Sequence, residues 1–272
     1  MDTTALDAAI SALSSHRPDR PELPPVGELA LHLLRLQRET LAAIPVVGPP
    51  SMEVAHERLR EGGPALRFRD LQIEPETYHQ TWVRAVELCA DDGALTSAEV
   101  GDLLAEGESG DRLLRLTQPW FEHGADDSIS LRSDLTPEII SIAAKPWLLA
   151  AAERVAEVVS RDEWTASGCP ACGGEPDLAV AHTHGPRTLV CSRCDTLWPW
   201  PHDGCPFCHS GPENVRLHEG PSPGYYLQEC LSCARALKSV QGGVLGEDLS
   251  PAAERVFAAH LDHLAAQLNL TT

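Results

Sequence analysis

With 272 residues, 43% of them hydrophobic, the chain is large enough for one large or two small domains with a buried core. Its formal charge of −19 argues against broad contact with nucleic acid or an anionic membrane surface, since both are bound through clustered Lys and Arg. Aromatic residues make up only 5%, so aliphatic side chains on helices must build most of the core.

The first residues, Met1-Asp-Thr-Thr-Ala-Leu-Asp7, carry acids where a secretory signal would carry cations. The most apolar stretch, 139–159, is interrupted by Lys145, Pro146, Glu153, Arg154 and Glu157, which argues against membrane insertion. These features predict a cytoplasmic protein. In that reducing compartment paired cysteines read as metal ligands rather than disulfides.

Up to residue 166 the pattern is helical. Leu29, Leu33, Leu36 and Leu41 form one apolar face of a helix that ends before Pro45. Ser51 caps a short helix through residue 59, stopped by Gly62-Gly63-Pro64. Pro75 opens a helix whose face carries Tyr78, Trp82, Val86 and Cys89, the last read as a buried free thiol. Thr96 with Glu99 makes a capping box for a helix through residue 104. Thr136-Pro137-Glu138 starts an element running to residue 159, which Pro146 should kink or split.

The character changes at Ser167-Gly168-Cys169. From there to about residue 243 the chain is rich in Cys, Gly and Pro, with short β-like pieces such as 187–190 and 225–228. Such pieces cannot hold a core without a staple. Ser250-Pro251 then starts a final helix with Phe257, Leu261, Leu264 and Leu268 on one side, expected to pack on the helical region. The predicted fold class is α+β. Residues 1–166 form a helical domain, 167–204 and 205–243 form two tandem four-cysteine ribbon modules, and 244–272 form the C-terminal helix.

Eight of the nine cysteines fall in four Cys-x-x-Cys pairs: Cys169/Cys172, Cys191/Cys194, Cys205/Cys208 and Cys230/Cys233. Two intervening residues let a tight turn aim both sulfurs at one ion, and two turns complete a tetrahedron suited to zinc or iron. There are 18 residues between Cys172 and Cys191 and 21 between Cys208 and Cys230, each suiting a returning β-hairpin. Only 10 separate Cys194 from Cys205, which favours sequential over interleaved pairing. Two metal ions per chain are expected, and four sulfurs leave no open position for hydrolytic chemistry. Each site would carry a formal charge of about −2, with Arg193 and Lys238 as candidate neighbouring cations.

Other readings compete poorly. Cys205-Pro-Phe-Cys208-His209 fits a haem-attachment pattern, but that leaves Cys230 and Cys233 without a role. His182 and His184 lie on one face of a strand and read as surface residues. Trp198 and Trp200 either pack over a metal site or serve as exposed anchors for a partner. No nucleophile elbow or phosphate-binding glycine loop is present, so no enzyme activity is expected. A zinc-ribbon nucleic-acid-binding or scaffold protein is the alternative. Between Cys169 and Cys233, however, the only cations are Arg187, Arg193 and Arg216.

Several motifs together resemble the formate dehydrogenase accessory protein (FdhE) family. They are Cys169-Pro-Ala-Cys172-Gly173 with Pro176, Arg187-Thr-Leu-Val-Cys191-Ser-Arg-Cys194 with Trp198, Cys205-Pro-Phe-Cys208, and Glu229-Cys230-Leu-Ser-Cys233 with Leu237-Lys238. The resemblance covers about 75 residues. It implies a helical domain followed by two rubredoxin-like or zinc-ribbon modules, with iron or zinc on all eight cysteines. It further implies a maturation factor that binds the formate dehydrogenase catalytic subunit in the cytoplasm. A homodimer is compatible with it.

Overall fold

The computed structural model describes residues 2–15, 27–45, 50–123, 131–157, 159, 164–242 and 250–271. Seven α-helices come first: α1 (Thr4–Ser14), α2 (Gly27–Ala43), α3 (Met52–Arg60), α4 (Pro75–Asp91), α5 (Ser97–Glu106), α6 (Gly110–His123) and α7 (Thr136–Val155). The caps expected from sequence are present. The Ser51 side chain accepts from the Val54 N–H, and Thr96 and Glu99 satisfy each other's backbone in a capping box. Helix α4 sets Tyr78, Trp82 and Val86 fully inside the core. The Tyr78 ring meets Trp147 of α7 edge-on at 5.5 Å, and its hydroxyl pairs with Thr117 of α6 at 2.7 Å.

Pro146 does not split α7, which continues through it. Proline offers no N–H to the carbonyl four residues back, that of Ile142. The Gln37 side chain from α2 supplies the missing donor, its Nε2 reaching the Ile142 carbonyl at 3.2 Å. A polar residue on the buried face of α2 thereby completes its neighbour's backbone.

Six strands follow: β1 (Pro176–Ala181), β2 (Arg187–Cys191), β3 (Leu197–Trp200), β4 (Val215–Glu219), β5 (Tyr225–Cys230) and β6 (Ala236–Gln241). They form one sheet in the order β3-β2-β1-β6-β5-β4. All pairings are antiparallel except β1 with β6, where Leu178 faces Lys238 and Val180 faces Val240 in parallel. The two ribbons therefore share a sheet. Each contributes its strands in the same order and direction, so the second ribbon repeats the first by translation along the sheet. All four Cys-x-x-Cys turns lie at the end where β1, β3, β4 and β6 begin. The two cysteine groups are thus three strand positions apart, roughly 15 Å at normal strand spacing.

The final helix differs from expectation. It is two short helices, α8 (Pro251–Phe257) and α9 (His260–Gln267). At the break Leu261 and Asp262 donate to carbonyls three residues back, and the His260 ring bonds the Phe257 carbonyl. The bend lets α8 pack against α1 while α9 packs on β5. The boundary expected at 243/244 lies outside the described residues.

Replacing Gln37 with Ala should cost about 1 kcal/mol by leaving the Ile142 carbonyl unpaired. The cost should shrink in a Pro146→Ala background, where residue 146 regains its own N–H. A double-mutant cycle by chemical denaturation measures that coupling.

Candidate metal centres

The four Cys-x-x-Cys turns repeat one backbone pattern. The N–H of each first cysteine bonds the carbonyl five residues on: Cys169 to Gly174, Cys191 to Thr196, Cys205 to Ser210 and Cys230 to Arg235. The carbonyl of each first cysteine accepts from the residue four on: Gly173, Asp195, His209 and Ala234. All four of those residues have positive φ, at 77°, 59°, 58° and 57°. Only one is glycine, so three turns hold a residue in a strained backbone region. Turn N–H groups also point at sulfur: Gly174 at Cys172, Arg193 at Cys191 and Phe207 at Cys205, each at 3.4 Å.

These turns pair sequentially. Cys169, Cys172, Cys191 and Cys194 form one group and Cys205, Cys208, Cys230 and Cys233 the other, with the sulfurs of each group within 4.8 Å of one another. Sulfur separations are 3.6 Å for Cys169–Cys194, 3.5 Å for Cys172–Cys191, 3.8 Å for Cys205–Cys233 and 3.6 Å for Cys208–Cys230. A tetrahedron with metal–sulfur bonds of about 2.3 Å has edges of about 3.8 Å, so both groups fit a four-thiolate ion. Each could hold one metal ion.

The first group sits in the seam between sheet and helices, and none of its four cysteines is more than 3% exposed. Ala65 and Leu66, in the segment after α3, donate to the carbonyls of Pro170 and Ala171 within the first turn, both at 2.9 Å. The second turn is held from three sides. Arg193 reaches back to the Trp120 and Phe121 carbonyls of α6 and stacks 4.6 Å from the Trp120 ring. Lys145 of α7 pairs with Asp195 at 2.5 Å. Arg255 of α8 bonds Asp195, both oxygens of Asp177, and the Cys191 carbonyl. Burial, followed by the neighbouring sulfurs, pushes the Cys169 thiol far above its ordinary range. A bound cation reverses that preference by stabilising the thiolates.

The second group is open. Cys205 and Cys230 are buried, Cys233 is half-buried and Cys208 is exposed. Burial pushes Cys205 up to about 12. Cys230 stands at about 6: burial acts against this, but bonds from the Ser210 hydroxyl and the Cys233 and Ser232 N–H groups outweigh it. Ser210 lies 3.3 Å from the Cys230 sulfur and 3.4 Å from that of Cys208.

Arg235 joins the two ends. Its guanidinium bonds both carboxylate oxygens of Glu175, beside the first group, at 2.9 and 2.8 Å. It also lies 3.7 Å from the ring of Phe207, inside the third turn. Arg235 lies close enough to feel the charge of Cys205 and Cys233, and Arg187 that of Cys205. Sequence reading missed both. The candidates it offered are engaged elsewhere: the Arg193 side chain with α6, and Lys238 with Asp262 at 3.1 Å.

Trp198 and Trp200 are buried, which fits the packing alternative of the sequence reading and not the exposed-anchor one. Alternate residues of a strand share a face, and here that face is covered. His182 and His184 are exposed, and Cys89 is buried, its thiol raised by burial and then by Asp92. Among the described residues no helix is long and apolar enough to cross a membrane.

Helices closing over a six-stranded sheet with two four-sulfur groups define a metal-ribbon protein by fold and site. That fold is similar to the FdhE protein from Pseudomonas aeruginosa, with a TM-score of 0.65 and 20% identity over 98% of this chain and 90% of that one. No family model and no curated protein sequence matches the chain.

Cys172→Ser should lose one ion and at least about 3 kcal/mol more stability than Cys208→Ser, because only the first group lies in the seam. Elemental analysis with thermal unfolding compares them. Ala234→Gly should stabilise the chain by about 1 kcal/mol, since Ala234 is exposed and its methyl group contributes strain rather than packing. A raised melting temperature checks this.

Proposed function

We propose that this protein is a non-catalytic accessory factor in formate dehydrogenase maturation, acting in the cytoplasm on the immature catalytic subunit. In this reading all eight paired cysteines are metal ligands, two ions per chain, either rubredoxin-type iron or zinc. Residues 1–166 act as the helical unit and the two four-cysteine modules, 167–204 and 205–243, as the metal-bearing unit. The observation that carries the reading is the likeness of fold to an FdhE protein across 98% of the chain, joined to two tetrahedral sulfur groups. The motif resemblance in the cysteine region supplies the client.

The nucleic-acid alternative finds no support among the cations of the sheet. Arg187 bonds Gln228 and the Gly204 carbonyl, Arg193 is turned into α6, and Arg216 pairs with Glu229. None of them contributes to a free basic face of the kind phosphate binding needs.

The experiment is anaerobic co-expression of the tagged chain with a formate dehydrogenase catalytic subunit lacking its cofactor. Stoichiometric co-purification, with two metal ions per chain by elemental analysis, is the expected result. Absence of the subunit from a metal-replete, folded preparation would sink the proposal. A visible thiolate-to-iron absorption would assign iron, and a colourless protein with two zinc ions would assign zinc.

A further inference from the structure

The two four-cysteine groups share ligands, turns and strand register, yet differ in surroundings. The first is closed by the segment after α3 on one turn and by α6, α7 and α8 on the other. The second has one exposed cysteine, Cys208, and one half-buried cysteine, Cys233. Beside it lies a cavity of about 430 Å³ whose wall includes Cys205, Ser210, Asp203, His202, His209 and Trp200. His209 follows Cys208 directly and takes the positive φ that its turn requires. Both imidazoles stand against the Trp200 ring, His202 at 4.9 Å and His209 at 5.8 Å between centroids. His202, Asp203 and His209 are all exposed.

Imidazole and carboxylate are ordinary ligands of divalent d-block ions. They line the cavity that reaches the open sulfur group, whose thiolates attract cations. Yet these residues belong to no cluster of three or more ligands among those described, so they do not make a storage site of their own. The other sulfur group has no imidazole approach. A cavity of about 270 Å³ touches Cys194, and its wall carries Asp2, Glu153 and Asp195 among leucines but no histidine, and none of that group's cysteines is more than 3% exposed.

We propose that the Cys205/Cys208/Cys230/Cys233 group is the exchangeable metal site, and that His202 and His209 are transient ligands passing a divalent d-block ion between solvent and its sulfurs. The Cys169/Cys172/Cys191/Cys194 group is then the permanent ion. No electron moves in this step: an imidazole nitrogen replaces water on the ion, and thiolate sulfur then replaces imidazole. The inference rests on the metal-binding reading but not on the identity of the client.

The test uses full-length protein loaded with zinc and mixed with excess 4-(2-pyridylazo)resorcinol. One ion per chain should leave roughly 100-fold faster than the other, because release from the closed site requires the seam to open. Cys208→Ser should remove the fast phase and keep the slow one. The double variant His202→Ala/His209→Ala should slow the fast phase about tenfold while leaving the slow phase and the melting temperature unchanged. A single rate for both ions would overturn the inference, as would a fast phase that survives in Cys208→Ser. So would wild-type release by the histidine variant. A folded chain that binds no zinc at all would overturn the metal reading itself.

Discussion

Four sulfurs with almost no access to water meet where the helices close onto the sheet, and their charge has to be balanced there. Four thiolates so placed repel one another, and four thiols would leave the seam with weak donors and no cross-link. A divalent ion resolves both problems by neutralising half of the charge and joining two turns. The surrounding contacts then make sense as a cage around that junction. Backbone from the segment after α3 holds the first turn. Arg193, within the second turn, reaches out to carbonyls of α6, and Lys145 and Arg255 hold that turn by bonds to its carbonyls and to Asp195. The helical region is therefore anchored to the turns themselves, and its position on the sheet depends on their geometry.

The second sulfur group shows how far context alone can separate two copies of one motif. The turn bonds, left-handed residues and strand directions are those of the first group, carried three strands along the sheet. What is missing is the helical cover. In its place are Ser210, which serves two sulfurs, and Arg235, which ties this end back to Glu175. The Phe207 ring lies 3.7 Å from the guanidinium and covers one side of it. Translation rather than two-fold symmetry also explains the asymmetry. A two-fold axis would have given both groups equivalent neighbours, whereas a head-to-tail repeat gives one ribbon the interior and the other the edge.

Local signals were legible in the sequence and non-local ones were not. The Ser51, Pro75 and Thr96 helix starts follow from the chemistry of one turn, and the cysteine spacing fixes hairpin partners within some twenty residues. The β1–β6 pairing joins residues sixty positions apart through two short strands. Nothing in Ala236-Leu-Lys-Ser-Val-Gln241 announces a central strand, since Lys238 and Ser239 are polar and yet buried. The burial of Lys238 is made tolerable by Asp262, supplied only once α9 has folded back. The break before α9 was equally hidden, because Phe257, Leu261 and Leu264 would suit an unbroken helix. Pro146 misled in the opposite direction: it marks a lost bond, and the donor that replaces it is a glutamine more than a hundred residues upstream.

The distribution of cations bears on what the outside can bind. The chain has 21 Lys and Arg against 40 Asp and Glu. Lys145, Arg193, Arg235, Lys238 and Arg255 are all engaged in joining helices or turns to the sheet, largely out of solvent. Four of them are paired there with Asp177, Asp195, Glu175 and Asp262, so the exterior keeps roughly the acidic excess that the composition gives. Such a surface resists nucleic acid and other acidic proteins, and it draws a basic segment towards it at long range. A macromolecule drawn to this chain by its field should therefore present positive charge, and raising the salt concentration should weaken that attraction.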